Sequence, residues 1–173
     1  MKETLQDLKT RRSVRSYQKK QISDEQLNAI LEAGTWAPTG MGAQSPVIVV
    51  IQNPELIARL SRLNAEVMGN PGSDPFYGAP TLLVVLADST RRTYVEDGSL
   101  VMGNLLNAAH AVGVDSCWIH RAREVFSLPE GKALLKEWGL GEQYEGIGNC
   151  ILGYAAGEIP APKPRKQNYI IRV

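Results

Sequence analysis

Between about residues 94 and 112 the chain carries a helical pattern that is apolar on more than one side. Val101, Leu105, Ala108, Ala109 and Val112 fall on one face, and Leu100, Met102 and Leu106 widen it. A helix of that kind is stable in water only when other elements cover it on several sides. The sequence around it supplies them. Residues 47–51 and 81–87 are short runs rich in Val, Leu and Ile, which read as buried strands. Residues 115–119 and 149–154 read as two more strands. Ser23 followed by Gln26 is a capping box, and Leu27, Ile30 and Leu31 continue at helical spacing, with Gly34 as the expected stop. Asn53 and Pro54 open a further helix, and Pro129 opens one over about 130–138 that Gly139 closes. Residues 3–11 are expected to form a short helix. Residues 69–79, rich in Gly, Pro, Ser and Asp, are expected to form a surface loop. Helices alternating with strands in 173 residues predict a single domain, an α/β or α+β sandwich.

Charge is unevenly placed. Lys9, Arg11, Arg12, Arg15, Lys19 and Lys20 form a run without an acid, and the last fifteen residues add Lys163, Arg165, Lys166 and Arg172, again without one. These two segments hold ten of the 19 basic residues, and the remainder carries nine against 18 acids, so an acidic middle is flanked by basic ends. An anion is expected where the ends meet. Nucleic-acid binding is disfavoured: net charge is only +1, and Tyr17 is the sole aromatic in the first basic run. No apolar run is long enough to span a bilayer, the amino terminus carries no targeting signal, and two cysteines make no disulfide framework. A reduced, cytoplasmic protein is expected.

The common catalytic motifs are missing. Gly139-Leu140-Gly141 follows a helix, and no G-x-G-x-x-G or phosphate-binding lysine loop follows a strand. There is no G-x-S-x-G serine elbow. His110 and His120 lack metal spacing, so a structural role is the default for each, and no metal is expected. Cys117 reads as a small apolar strand residue before it reads as a nucleophile. Chemistry supplied by an organic cofactor therefore gains ground. The sharpest pattern is R-R-S-V-R-S-Y at residues 11–17. In an extended segment Arg11, Ser13 and Arg15 share one face, and two guanidinium groups around a hydroxyl suit a phosphate or a heteroaromatic edge. Taken alone, such a run is more often a solvated surface. Lys163-Pro164-Arg165 alternates in the same way.

That opening motif resembles the start of flavin mononucleotide (FMN)-dependent nitroreductases. So does A-P-T-G-M at residues 37–41 with Gln44 after it. The pattern Gly103-Asn104-Leu105-Leu106, then Ala108-Ala109-His110, Gly113 and Ser116-Cys117-Trp118-Ile119, is similar to the family's central helix and next strand. Ile151-Leu152-Gly153-Tyr154 and Lys163-Pro164-Arg165 match its end. The order is the family's, across nearly the whole chain.

The resemblance implies an α+β, three-layer α/β/α sandwich around a mainly antiparallel sheet. It implies a homodimer with FMN at the interface. The tail over 159–173, with three prolines and then a strand-like stretch at 169–173, cannot bury itself and is expected to cross the partner. Arg11, Arg12, Ser13 and Arg15 would contact the flavin, with Arg11 and Ser13 nearer the phosphate and Arg15 nearer the pyrimidine edge. Lys163 and Arg165 would close on the phosphate. Pro38, Thr39, Gly40 and Met41 would reach the cofactor from the partner, with Gln44 near the ring. Backbone at Trp118 and Ile119, or as far as residue 121, would face N5. Asn104 has two readings, a bond to the flavin or a tie to the neighbouring loop. The implied activity is ping-pong transfer from NADPH or NADH to nitroaromatics, quinones or similar small acceptors, with no catalytic side chain. Reductive dehalogenation, enone reduction and non-catalytic flavin binding are the alternatives. One departure stands out: the family's asparagine position is Gly42, and no tryptophan follows Pro46. The chain also lacks a large lid insertion. Phe76 and Tyr77, in the 68–78 loop, are either a lid or ordinary packing.

Overall fold

A computed structural model describes residues 2–173. Four strands form one sheet: β1 (Pro46–Ile51), β2 (Thr81–Asp88), β3 (Asp115–Ile119) and β4 (Tyr144–Gly153). Their order is β1-β2-β4-β3 and every pairing is antiparallel. Central β2 is buried from Thr81 to Ala87 and sends alternate side chains to the two faces. Leu82, Val84 and Leu86 pack with Leu60 and Leu63 of α3 (Pro54–Val67) and with Phe126, Leu134 and Leu135 of α5 (Ala122–Ser127) and α6 (Pro129–Glu137). Leu83, Val85 and Ala87 pack with Ile30 of α2 (Asp24–Thr35) and with Val101, Met102 and Leu105 of α4 (Tyr94–Ala111). The result is the expected three-layer sandwich, with α4 covered by the sheet and α2. Among the described residues no helix is long and apolar enough to cross a membrane.

The helix starts follow their local chemistry. Ser23 and Gln26 form a reciprocal capping box, and the Asn53 side chain accepts from the Leu56 amide at 2.9 Å. Helix α1 (Glu3–Thr10) is held to α4 by a 2.8 Å hydrogen bond between Thr10 Oγ1 and His110 Nε2, a structural use of that histidine. After α1 the chain runs extended along the outer edge of β3. The Val14 amide donates to the Ser116 carbonyl, and the Gln18 amide donates to that of Tyr154. Tyr17 is buried there and donates to the Val14 carbonyl at 2.9 Å; burial above all holds its phenol protonated far above the ordinary range.

Several expectations need correction. Gly34 does not end its helix, which continues to Thr35. Its smallness serves packing, because a Cβ at Gly34 would lie 2.7 Å from Leu105 Cδ2 of α4. Strand β1 is an edge strand and only half-buried, with Val50 40% exposed. Strand β4 begins at Tyr144, five residues before the expected 149. Glycines made that stretch look like a loop, but a Cβ at Gly146 would meet Ala122 backbone at 2.4 Å, and one at Gly148 would meet Trp118 Nε1 at 2.6 Å. The register shifts between Val85 and Leu86, where Ile147 is the extra residue. Short α5 had no sequence signal, since it starts from a left-handed Arg121 (φ 79°) in place of a capping side chain. Residues 169–173 form no strand, and 156–173 are exposed throughout. Phe76 is 1% exposed, so it belongs to the core. Its loop is pinned by Asp74, which accepts from Ser61 Oγ (2.5 Å) and from the Phe76 and Gly78 amides (3.0 and 2.8 Å).

Candidate functional site

The two basic ends of the chain meet. A cavity of about 760 Å³ is lined by Lys9, Arg11, Arg12, Arg15, Lys163 and Arg165 together with Leu8, Ser13 and the extended 160–162 segment, and no acid lines it. The extended segment after α1 brings the first set there by pairing with Ser116, and the proline-rich tail brings the second. Half-buried Arg11 has a buried Nη1 atom without a hydrogen-bond partner. Ser116 Oγ, across the bridge from Ser13, is likewise buried and unpartnered. Buried donors are rarely left unpaired, and an unmatched guanidinium nitrogen on a residue that lines a basic, acid-free cavity fits an oxyanion. Arg12 differs. Its Nη1 donates to the Lys9 and Arg11 carbonyls (2.8 and 2.7 Å) and so caps α1. Arg165 turns back on its own segment, donating to the Lys163 carbonyl from Nη2 at 2.7 Å.

The other expected residues lie on a second surface. Thr39 and Gln44 line an apolar groove of about 420 Å³ with Thr35, Ala37, Ile48 and Val50, and no residue lines both cavities. Met41 stands fully exposed beyond this groove, and Trp36 (79%) and Leu100 (47%) are exposed as well. The loop turns through three left-handed residues, Met41 (φ 55°), Gly42 (φ 66°) and Gln44 (φ 49°). Short 3₁₀ helix η1 (Gly40–Gly42) forms its tip.

The family model of nitroreductases matches residues 8–154. The chain belongs to the nitroreductase family. A nitroreductase of Bacteroides fragilis, whose crystal structure holds bound FMN, is 32% identical and superposes with a TM-score of 0.92 over all of both chains. An FMN-bound nitroreductase of Desulfitobacterium hafniense is 28% identical, with a TM-score of 0.88 over 100% of this chain and 99% of that one. A protein of Archaeoglobus fulgidus that carries an NADH dehydrogenase/NAD(P)H nitroreductase name is 30% identical over 82% of this chain and 86% of its own.

For a member of the nitroreductase family, Gly42 is explained by backbone before side chain. At φ 66° asparagine and glycine are the two residues that fit with least strain, and a Cβ built at Gly42 meets nothing within 4 Å. Gly42→Asn is therefore expected to fold normally, with Tm within a few degrees of the parent; if residue 42 meets the flavin as the resemblance implies, FMN retention tightens several-fold. Thermal melts and flavin titration of the pair check this.

Three remaining positions are mostly structural in their side chains. Asn104 Nδ2 donates to the Ala33 carbonyl at 2.9 Å, tying α4 to α2. Ile119 is buried in one core layer and Trp118 packs against the other. Of the two, Trp118 keeps its peptide groups off the β4 ladder, and its carbonyl accepts from the Cys117 thiol at 3.6 Å, whereas Ile119 alternates back toward β4. The Ser116 carbonyl points away from β4 to accept from Val14, and by the two-residue period the peptide groups of Trp118 point the same way. Cys117 is buried and free, as is Cys150, whose thiol burial pushes up. One residue escaped the sequence reading altogether. Asp97, 2% exposed in the first turn of α4, holds the loop that carries Gly40, Met41 and Gln44.

Proposed function

We propose that this protein is an FMN-dependent oxidoreductase that takes hydride equivalents from NADPH or NADH and passes them to small electron-poor acceptors such as nitroaromatics and quinones. One observation carries the reading: two acid-free basic segments from opposite ends of the chain converge on one cavity, and Arg11, which lines it, has a buried guanidinium nitrogen without a hydrogen-bond partner. The FMN in the two relatives and the nicotinamide donor in the third relative's name support the same assignment.

In this reading Arg11 and Ser13, with Lys163 and Arg165, hold the phosphate by charge-assisted hydrogen bonds, and Arg12 adds charge while capping α1. Arg15 sits two residues further along the same extended face, toward the pyrimidine edge. A cation there favours negative charge on the ring and so raises its reduction potential. Bound FMN supplies hydride exchange at N5. The backbone at Trp118, next to Ile119, orients that atom without a titrating group. Asn104 braces α4 behind the site. Pro38, Thr39, Gly40, Met41 and Gln44 complete it from a second copy of the chain. The exposed Trp36, Met41, Val50 and Leu100 around the apolar groove support that homodimer, since a patch of this kind is usually covered. Donor and acceptor would use the same open face in turn, which is ping-pong kinetics.

The test is a visible spectrum of the purified protein followed by one addition of NADPH under argon. Flavin bands that bleach on addition are the expected result. A colourless protein that takes up no added FMN overturns the proposal. Flavin bands that neither NADPH nor NADH bleaches overturn the reductase assignment and leave a flavin-binding protein.

A further inference from the structure

Asp97 is a buried carboxylate with no cation beside it. None of the ion pairs among the described residues involves it. Three neutral donors satisfy it instead. The Gly40 amide donates to Oδ1 at 2.8 Å, and the Ser45 and Thr93 hydroxyls donate to Oδ2 at 3.1 Å each. A buried charge without a counter-ion is costly, and an apolar residue would serve the core better. The carboxylate therefore needs a different explanation, and its partners supply one.

Gly40 and Ser45 bracket the exposed loop that turns through left-handed Met41, Gly42 and Gln44. The Gln44 amide donates across the loop to Thr39 Oγ1 at 3.0 Å. Gly40 is pressed so closely onto α4 that a Cβ would lie 2.2 Å from Thr93 Oγ1. One carboxylate thus clasps both ends of a loop that has little core of its own, and fixes it to the central helix of the fold. Three left-handed residues in the four positions 41–44 do not persist unaided; surrounding contacts have to over-determine them.

We propose that Asp97 is a positioning residue: through Gly40 and Ser45 it sets the shape in which the loop presents Thr39, Met41 and Gln44 to the flavin and the acceptor. The inference rests on the reading that this loop meets the cofactor of a second copy. Its mechanism is hydrogen bonding, so charge as such is dispensable. Asparagine at 97 keeps an acceptor for the Gly40 amide, and its amide group donates to two hydroxyls that can rotate to accept. Alanine keeps nothing.

The test compares Asp97→Ala and Asp97→Asn in the full-length protein. Amide hydrogen exchange over residues 39–45 is expected to rise roughly tenfold in the alanine variant and to stay near the parent in the asparagine variant. With the FMN-loaded enzyme, the alanine variant is expected to raise the acceptor KM about tenfold with kcat changed far less, and asparagine is expected to restore it. Parent-like exchange in Asp97→Ala, or equal losses in both variants, overturns the proposal. If Asp97→Ala does not fold, Ser45→Ala and Thr93→Val each remove one donor, and unchanged exchange in both overturns it as well. Exchange is measured without cofactor, so a parent protein that binds no FMN defeats the flavin reading while the exchange data still decide whether Asp97 holds the loop.

Discussion

Arg11→Ala is expected to weaken FMN binding by roughly tenfold to a hundredfold, the loss of one charge-assisted contact of about 1.5–3 kcal/mol. The argument is local. Among the cations around the cavity, Arg11 has a guanidinium nitrogen that is both buried and unpartnered. Arg12 has its Nη1 occupied by the carbonyls of Lys9 in the last turn of α1 and of Arg11 just after it, and Arg165 donates to the Lys163 carbonyl. Arg15 is exposed. Arg12→Ala is thus expected to act mainly on the stability of α1, and Arg11→Ala mainly on ligand binding. Fold stability should move in the opposite sense from affinity, because removing an unsatisfied buried donor relieves the ligand-free protein. The measurement is FMN titration by flavin fluorescence, paired with thermal melts of the ligand-free proteins. Unchanged flavin affinity in Arg11→Ala, and again in the Arg11→Ala/Arg165→Ala double variant, would sink the phosphate assignment.

How much of this was visible in the sequence depends on how local each signal is. The cap at Asn53 and the capping box at Ser23 involve donors and acceptors three residues apart, so residue identities alone reveal them. The apolar pattern of α4 is local too, and its length and burial follow from it. Gly34 has a local meaning, a helix stop, and a distant one, clearance for Leu105 across 71 positions; the distant one prevails. Gly146 and Gly148 are the same case, since their clearance is against Ala122 and Trp118. The meeting of the two basic ends was legible because its signal is a segregation of charge and needs no pairing. Asp97 was not. In sequence it is an unremarkable acid in a helix's first turn, where the macrodipole already favours acids. Its partners Gly40 and Ser45 lie 57 and 52 positions away and carry no charge to betray the contact.

Deleting residues 159–173 is expected to cost both FMN binding and dimerisation, by separate physical causes. The first follows from Lys163 and Arg165, which line the cationic cavity and leave with the segment. The second follows from the rest of the tail. Within one chain none of its residues is buried: Ile159 is 54% exposed, Tyr169 71%, Ile170 76% and Ile171 82%. Proline at 160, 162 and 164 keeps it extended and prevents it from folding back as a helix. An extended arm that ends in isoleucines and carries no acid suits the acidic body of a second copy. Burying one such side chain contributes roughly 1.5–3 kcal/mol, so several together outweigh the entropy of ordering the arm. A dimer dissociation constant raised at least a hundredfold is the expected outcome, read by sedimentation at several concentrations. The two causes are separable. Lys163→Ala/Arg165→Ala keeps the apolar end, so it should lose FMN affinity and remain dimeric. Replacing Tyr169, Ile170 and Ile171 with serine keeps the cations, so it should weaken the dimer first and lose flavin only as the partner's Thr39–Met41 loop departs. A truncated protein that stays dimeric at low micromolar concentration would show that the tail is no clasp, and that the groove beside Trp36 and Val50 holds the two copies together alone.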